Sequence, residues 1–83
     1  MFYVYILKSK KSDRFYIGQT NDIQKRLVRH NAGRVPSTKH GVPWCVILYE
    51  SYDLRSEAMI REKEIKKFKG GILFKKLIGE WKE

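Results

Sequence analysis

Residues 2–8 read Phe-Tyr-Val-Tyr-Ile-Leu-Lys, and neither side of that run is one that water would favour. In an extended strand Phe2, Val4 and Ile6 point one way and Tyr3, Tyr5 and Leu7 the other. The β-branched and aromatic content marks a strand, and apolar residues on both faces require cover on both. Such a strand belongs at the centre of a sheet, with packing above and below it.

The polar run 9–14 (Ser-Lys-Lys-Ser-Asp-Arg) is a turn, and residues 15–19 (Phe-Tyr-Ile-Gly-Gln) read as the returning strand of a hairpin. Gly18 is expected to end that strand, at a sharp exit or where backbone must approach a ligand. Thr20, Asn21 and Asp22 are N-cap candidates for a helix over residues 23–31, with Gly33 as its stop. Residues 34–43 contain two prolines and no periodicity, which predicts a loop. Residues 44–52 read as a third strand. A second helix is expected over 56–68, capped by Asp53 or Ser56 and ended by Gly70 and Gly71. A third is expected over 72–81, with Leu73, Leu77 and Trp81 four apart. The order β-β-α-β-α-α gives an α+β fold: a three-stranded antiparallel sheet flanked by helices, in a single domain over 1–83.

Within the second helix, Ala58, Ile65 and Phe68 share one stripe at the 3.6-residue period, and Glu62 falls on it. A carboxylate there needs a partner, a proton or a metal ion, because burying it unpaired is very costly. A partly exposed Glu paired with a lysine would satisfy that need without any function. On the first helix Arg26 and His30, four apart, project from one side.

The net charge is +9, from 18 Lys plus Arg against 9 Asp plus Glu, which favours a polyanionic partner and argues against a cationic substrate. One cysteine, Cys45, excludes an internal disulfide framework and fits a reducing compartment, and with only two histidines a structural zinc site is not expected. No signal peptide is visible and no apolar run approaches the ~20 residues that span a bilayer, so the expected location is cytoplasmic, without a membrane partner or a small-molecule cofactor.

The pattern Tyr3-Val4-Tyr5, a polar turn, Tyr16-Ile17-Gly18, then Arg26 and His30, then Glu62 resembles the GIY-YIG nuclease superfamily. The likeness runs from Phe2 to about Phe68 and is greatest to small standalone members related to the N-terminal domain of the excinuclease C subunit. It implies an endonuclease that hydrolyses DNA phosphodiester bonds with one divalent ion, Mg2+ or Mn2+. Nothing in the sequence looks like a base-reading helix, so selectivity for structured or branched DNA is expected, with a place in repair or recombination.

On that resemblance Glu62 is the metal ligand, a hard oxygen whose ion is completed by water and substrate phosphate. Arg26 offers a planar, permanently charged fork to the scissile phosphate. Either Tyr5 or Tyr16 is the base or water-orienting group. A free tyrosine, with a pKa near ~10, is only about one part in a thousand ionised at neutral pH, so it needs help from nearby cations such as Arg26 or Lys25. His30, the natural titrating group near neutrality, is expected to orient a tyrosine or bind phosphate. Gly18, Gln19, Lys25, Lys66, Lys67 and Lys69 are the expected substrate-binding residues.

Three features depart from the family. Tyr3 stands in place of the first glycine, Gln19 stands where some members carry a lysine, and no second domain that would supply DNA grip is expected within these 83 residues. These keep two other readings in play: a non-catalytic nucleic-acid-binding module, and a subunit that borrows DNA affinity from a protein partner.

Overall fold

A computed structural model describes residues 1–79. Strands β1 (Phe2–Ser9), β2 (Phe15–Thr20) and β3 (Trp44–Tyr52) form one antiparallel sheet in the order β2-β1-β3. Helices α1 (Ile23–Asn31), α2 (Arg55–Lys67) and α3 (Ile72–Leu77) complete the expected β-β-α-β-α-α order. None of the helices among the described residues is long and apolar enough to cross a membrane.

β1 is central, and Val4, Tyr5, Ile6 and Leu7 are all buried. Its alternating side chains feed two different clusters. Val4 and Ile6, with Ile17 of β2, pack against Ala58 and Ile65 of α2 and Phe74 of α3. On the other face Tyr5 and Leu7 join Trp44, with Tyr16 and the α1 residues Ile23 and Leu27 packed around them. The sheet thus separates an α2/α3 layer from an α1 layer. Each fully buried aliphatic contributes roughly 1.5–3 kcal/mol, so both faces are needed to stabilise so short a chain.

Local chemistry explains where the elements begin and end. The Ser9 hydroxyl accepts from the backbone N–H groups of Lys11 and Ser12, both at 3.1 Å, and so shapes the hairpin turn. Asp22 is the cap of α1, its carboxylate accepting from Lys25 N at 3.0 Å, and Gly33 follows that helix with φ +73°. In α2 the cap position is Leu54, not Asp53 or Ser56; Glu57 reaches back to accept from Leu54 N at 3.1 Å. The helix therefore runs from Arg55 to Lys67, one residue earlier at each end than expected. α3 ends at Leu77, four residues before the expected end, and the expected Trp81 contact lies outside the described residues.

Gly18 does not end β2. The strand continues to Thr20, and Gly18 sits inside it opposite Tyr5. Its reason for being glycine is spatial: a Cβ there would lie 2.6 Å from the Tyr5 hydroxyl oxygen and 2.8 Å from its ring carbon Cζ. The missing side chain makes room for the Tyr5 ring.

A clamp across the α2/β3 junction fixes the rotation of α2. Glu50 on β3 accepts from Arg61 Nε at 2.8 Å and Arg61 Nη2 at 3.2 Å, and from the Tyr52 hydroxyl at 2.7 Å. The Arg61 guanidinium holds the Glu50 carboxyl below its ordinary value. A two-point fork of this kind restrains a helix about its axis more than a single contact does. The neighbouring residue on α2 is Glu62.

Candidate active site

Tyr5 and Tyr16 project from the same face of adjacent strands, since Tyr5 pairs with Gly18 and Tyr16 with Leu7. Their ring centroids lie 6.3 Å apart. Over them α1 lowers His30 and Arg26, neighbours at one helical turn. The His30 ring centre is 4.9 Å from Tyr16 and 6.0 Å from Tyr5. The structure therefore brings Tyr5, Tyr16, Arg26 and His30 together at the β2 side of the sheet.

Burial separates the two tyrosines. Tyr5 is buried, and its hydroxyl lies 3.0 Å from His30 Nε2. Burial raises the Tyr5 pKa, an effect that the hydrogen bond from Arg26 only partly offsets. Tyr16 is half-buried and keeps contact with solvent. The pair left unranked by the sequence is thereby divided: Tyr5 is held protonated inside, and Tyr16 is the one that water can reach.

His30 departs from its sequence-based role as a group titrating near neutrality. It is fully buried, and its pKa is lowered to about 4 by burial and then by the charges of Arg26 and Arg29. At neutral pH it is an uncharged imidazole that exchanges hydrogen bonds on both sides. Nε2 faces Tyr5, and Nδ1 lies 2.8 Å from Thr38 Oγ1. Thr38 is itself buried, in the segment that the sequence marks only as a loop. Nothing in its residue type or spacing singles it out; only the folding of residues 34–43 under α1 does.

Arg26 lies beside Tyr5 and Tyr16, whose hydroxyls favour its charged form, Tyr5 the more. Both neighbours are phenols, and among the described residues no carboxylate forms an ion pair with it. Its Nε is buried and lacks a hydrogen-bond partner. A permanent cation set among neutral groups is electrostatically uncompensated, and an anion beside it would lower the energy.

Glu62 belongs to the opposite layer, on α2, with its side chain 18% exposed. Its charge bears on Tyr5, tending to raise the phenol's pKa, so the two are electrostatically linked across the layers. One carboxylate oxygen accepts from Lys66 Nζ at 2.6 Å. The lysine partner expected of a functionally neutral Glu62 is therefore present, alongside the link to Tyr5.

The remaining expected binding residues are dispersed. Lys66 is engaged by Glu62, and Lys69 donates to the Phe15 carbonyl at 2.7 Å. Lys67 is exposed at the end of α2, and Gln19 is half-buried on β2 opposite Val4. Lys25 lies with Gln24, Val28 and Arg29 on the outer side of α1, which turns it away from the tyrosines. An open groove of about 570 Å³ includes Tyr16 in its wall together with Arg14, Lys69 and Lys75. A larger concavity of about 860 Å³, between the start of α1 and β3, is lined by none of the five clustered or linked polar residues.

Among known proteins, the family model described as the GIY-YIG catalytic domain matches residues 1–71. A UPF0213 protein of Staphylococcus saprophyticus is 42% identical over 67 residues, covering 80% of each chain. A UPF0213 protein of the archaeon Haloquadratum walsbyi is 37% identical over 67 residues, covering 80% of this chain and 74% of its own. The solution NMR structure of a UPF0213 protein from Bacillus halodurans superposes with a TM-score of 0.51 at 30% identity, covering 84% of this chain and 76% of that one. The order of elements, the hairpin bearing Tyr16-Ile17-Gly18 and a family match that reaches past the end of α2 agree with one another: the chain belongs to the GIY-YIG catalytic-domain family and has its nuclease fold.

Proposed function

We propose that this protein is a metal-dependent endonuclease that hydrolyses DNA phosphodiester bonds, selective for DNA structure over sequence and acting in repair or recombination. The observation that carries the proposal is Arg26, a guanidinium set beside two phenol hydroxyls, with a buried Nε that lacks a partner and no carboxylate paired to it among the described residues. A phosphodiester is the anion that suits such a site, because a planar fork can bind two of its oxygens at once.

Each residue has a separable task in this reading. Arg26 binds the scissile phosphate and offsets charge that grows on it during attack. Tyr16, in contact with solvent, orients the attacking water and takes its proton when ionised. Tyr5 keeps its own proton and holds Arg26 in place. The water oxygen forms the new bond to phosphorus, and the bond to the departing sugar oxygen breaks.

The donor chemistry around Glu62 fits a small hard cation. One carboxylate is available there, and no cluster of three His, Cys, Asp or Glu exists among the described residues. An ion that takes one protein oxygen and fills its remaining positions with water and substrate is of the Mg2+ or Mn2+ type, and it would have to replace Lys66 at Glu62. When bound, such an ion supplies Lewis-acid stabilisation of the leaving oxygen. DNA grip is supported by the +9 charge and by Arg14, Lys69 and Lys75 along the groove that starts at Tyr16. The groove's cations come from a turn, from the residue after the C-cap of α2 and from Lys75 of α3, groups that suit phosphate and carry no base code, which favours recognition of shape.

The test is to incubate the protein and its Glu62→Ala variant with branched, flapped and single-stranded DNA, with and without Mn2+. Metal-dependent cutting by the parent alone is the expected result. Equal binding by both without cutting on any substrate would overturn the proposal.

A further inference from the structure

We infer that Thr38, a loop residue outside the family's named tripeptides, is a positioning residue that fixes which way the Tyr5 hydroxyl points. It does so by setting the tautomer of His30. The kinetic consequence rests on the function proposed above; the tautomer does not.

Four contacts form one chain. The Arg26 guanidinium lies beside Tyr5, and the Tyr5 hydroxyl meets His30 Nε2 at 3.0 Å. His30 Nδ1 meets Thr38 Oγ1 at 2.8 Å, and Thr38 Oγ1 donates to the Val35 carbonyl at 3.4 Å. The two ends have no choice of role. A guanidinium only donates and a backbone carbonyl only accepts, whereas the phenol, imidazole and threonine hydroxyl between them can do either.

With the ends fixed, one arrangement satisfies every proton. The Arg26 cation faces the Tyr5 oxygen, Tyr5 donates to His30 Nε2, His30 Nδ1–H to Thr38, and Thr38 to Val35 O. The reverse tautomer, with the proton on Nε2, would make Tyr5 accept from His30 and turn its own proton away from it, towards the Arg26 cation. Its own buried proton would then have no acceptor among the described residues. Leaving a buried donor unsatisfied is costly, so the Nδ1–H form is selected.

Thr38 can impose this because it is itself immobilised. Its amide donates to Val35 O at 3.0 Å, and its carbonyl accepts from Gly41 N at 3.0 Å and from Trp44 Nε1 at 2.8 Å. The effect at the site is directional. With its proton committed inward, Tyr5 presents only lone-pair density to Arg26 and cannot compete for substrate oxygens. Losing the Thr38 hydroxyl would release that proton and loosen Arg26.

Long-range 1H–15N NMR of histidine-labelled protein at pH 7 reads the tautomer directly. The parent should show His30 protonated on Nδ1 only, and so should Thr38→Ser. The near-isosteric Thr38→Val should shift His30 towards the Nε2–H form. In the DNA-cutting assay Thr38→Val should lose ~10- to 100-fold in kcat with KM little changed, as for other groups that act through an aligned partner. Thr38→Ser should recover most of that loss. A parent His30 found as Nε2–H or as imidazolium at pH 7 overturns the inference. So does an unchanged tautomer in folded Thr38→Val. Should Thr38→Val not fold, a shifted tautomer in parent or Thr38→Ser has the same force. If no variant or parent cuts DNA, the proposed function fails, while the tautomer still decides this inference.

Discussion

The two faces of β1 are built from alternate residues of one short strand, yet they solve different problems. Under α2 and α3 lie Val4, Ile6, Ile17, Ala58, Ile65 and Phe74, with no polar atom among their side chains. Under α1 the same strand supplies Tyr5, and the interior there includes a histidine hydrogen-bonded to it and a threonine hydrogen-bonded to that histidine. The apolar face tolerates approximate fit, because burial is non-directional. The polar face is directional, because each buried donor must meet an acceptor. Stability is concentrated on one side and chemistry on the other.

That contrast can be broken from either side. Arg26→Ala should have the largest effect on the polar face, lowering cleavage by roughly 10²–10³-fold (~3–4 kcal/mol on the barrier), as removal of a charge-stabilising donor does. Its unfolding midpoint in urea should fall little, since among the described residues it leaves no buried partner charge behind. A large loss of stability would show that Arg26 is structural. Ile65→Ala on the apolar face should do the reverse, costing ~3 kcal/mol of stability by opening a cavity between α2 and the sheet. Cleavage measured well below its melting temperature should change several-fold at most.

Acid should act mainly through the polar face. His30 has a folded pKa of about 4 against an ordinary 6.5. Between those values the unfolded chain binds more protons, so stability is complete above pH 6.5 and falls as the pH drops towards 4. The total is ~3 kcal/mol. Glu50, also depressed, adds its loss only below its ordinary value of 4.5. Urea midpoints measured between pH 7 and 5 should therefore fall in the parent and stay level in His30→Asn; parallel slopes would place the acid sensitivity elsewhere. Gly18→Ala should give the smallest of these effects, ~2 kcal/mol, because the new methyl must displace the Tyr5 hydroxyl. Its signature should be faster solvent exchange of the buried Tyr5 hydroxyl proton, and unchanged exchange would mean that the ring has room after all.

Much of the fold was legible in local pattern. The two apolar faces of residues 2–8 required a central strand, and the spans 23–31 and 44–52 match α1 and β3 at both ends. Misreadings cluster where local chemistry competes with tertiary space. Gly18 looked like a strand end because glycine is conformationally free, but it is a strand interior emptied for a tyrosine. Asp53 and Ser56 look like caps by residue type, yet Glu57 satisfies the Leu54 amide and sets the boundary.

What the sequence determined by itself was the order of elements, the central place of β1 and the small set of polar residues around which a site could form. Those follow from periodicity and from the cost of exposing apolar strands, which are properties of neighbours along the chain. The state of the site was decided only by tertiary structure. Tyr5 and Tyr16 are chemically identical in sequence, and burial alone makes one an internal donor and leaves the other to solvent. His30 titrates near neutrality as a free side chain and is uncharged here because water is excluded and two arginines lie close. Thr38 acquires a role through a 2.8 Å contact with a residue eight positions away. Desolvation and hydrogen-bond direction depend on what the folded chain encloses, and no local pattern carries that information.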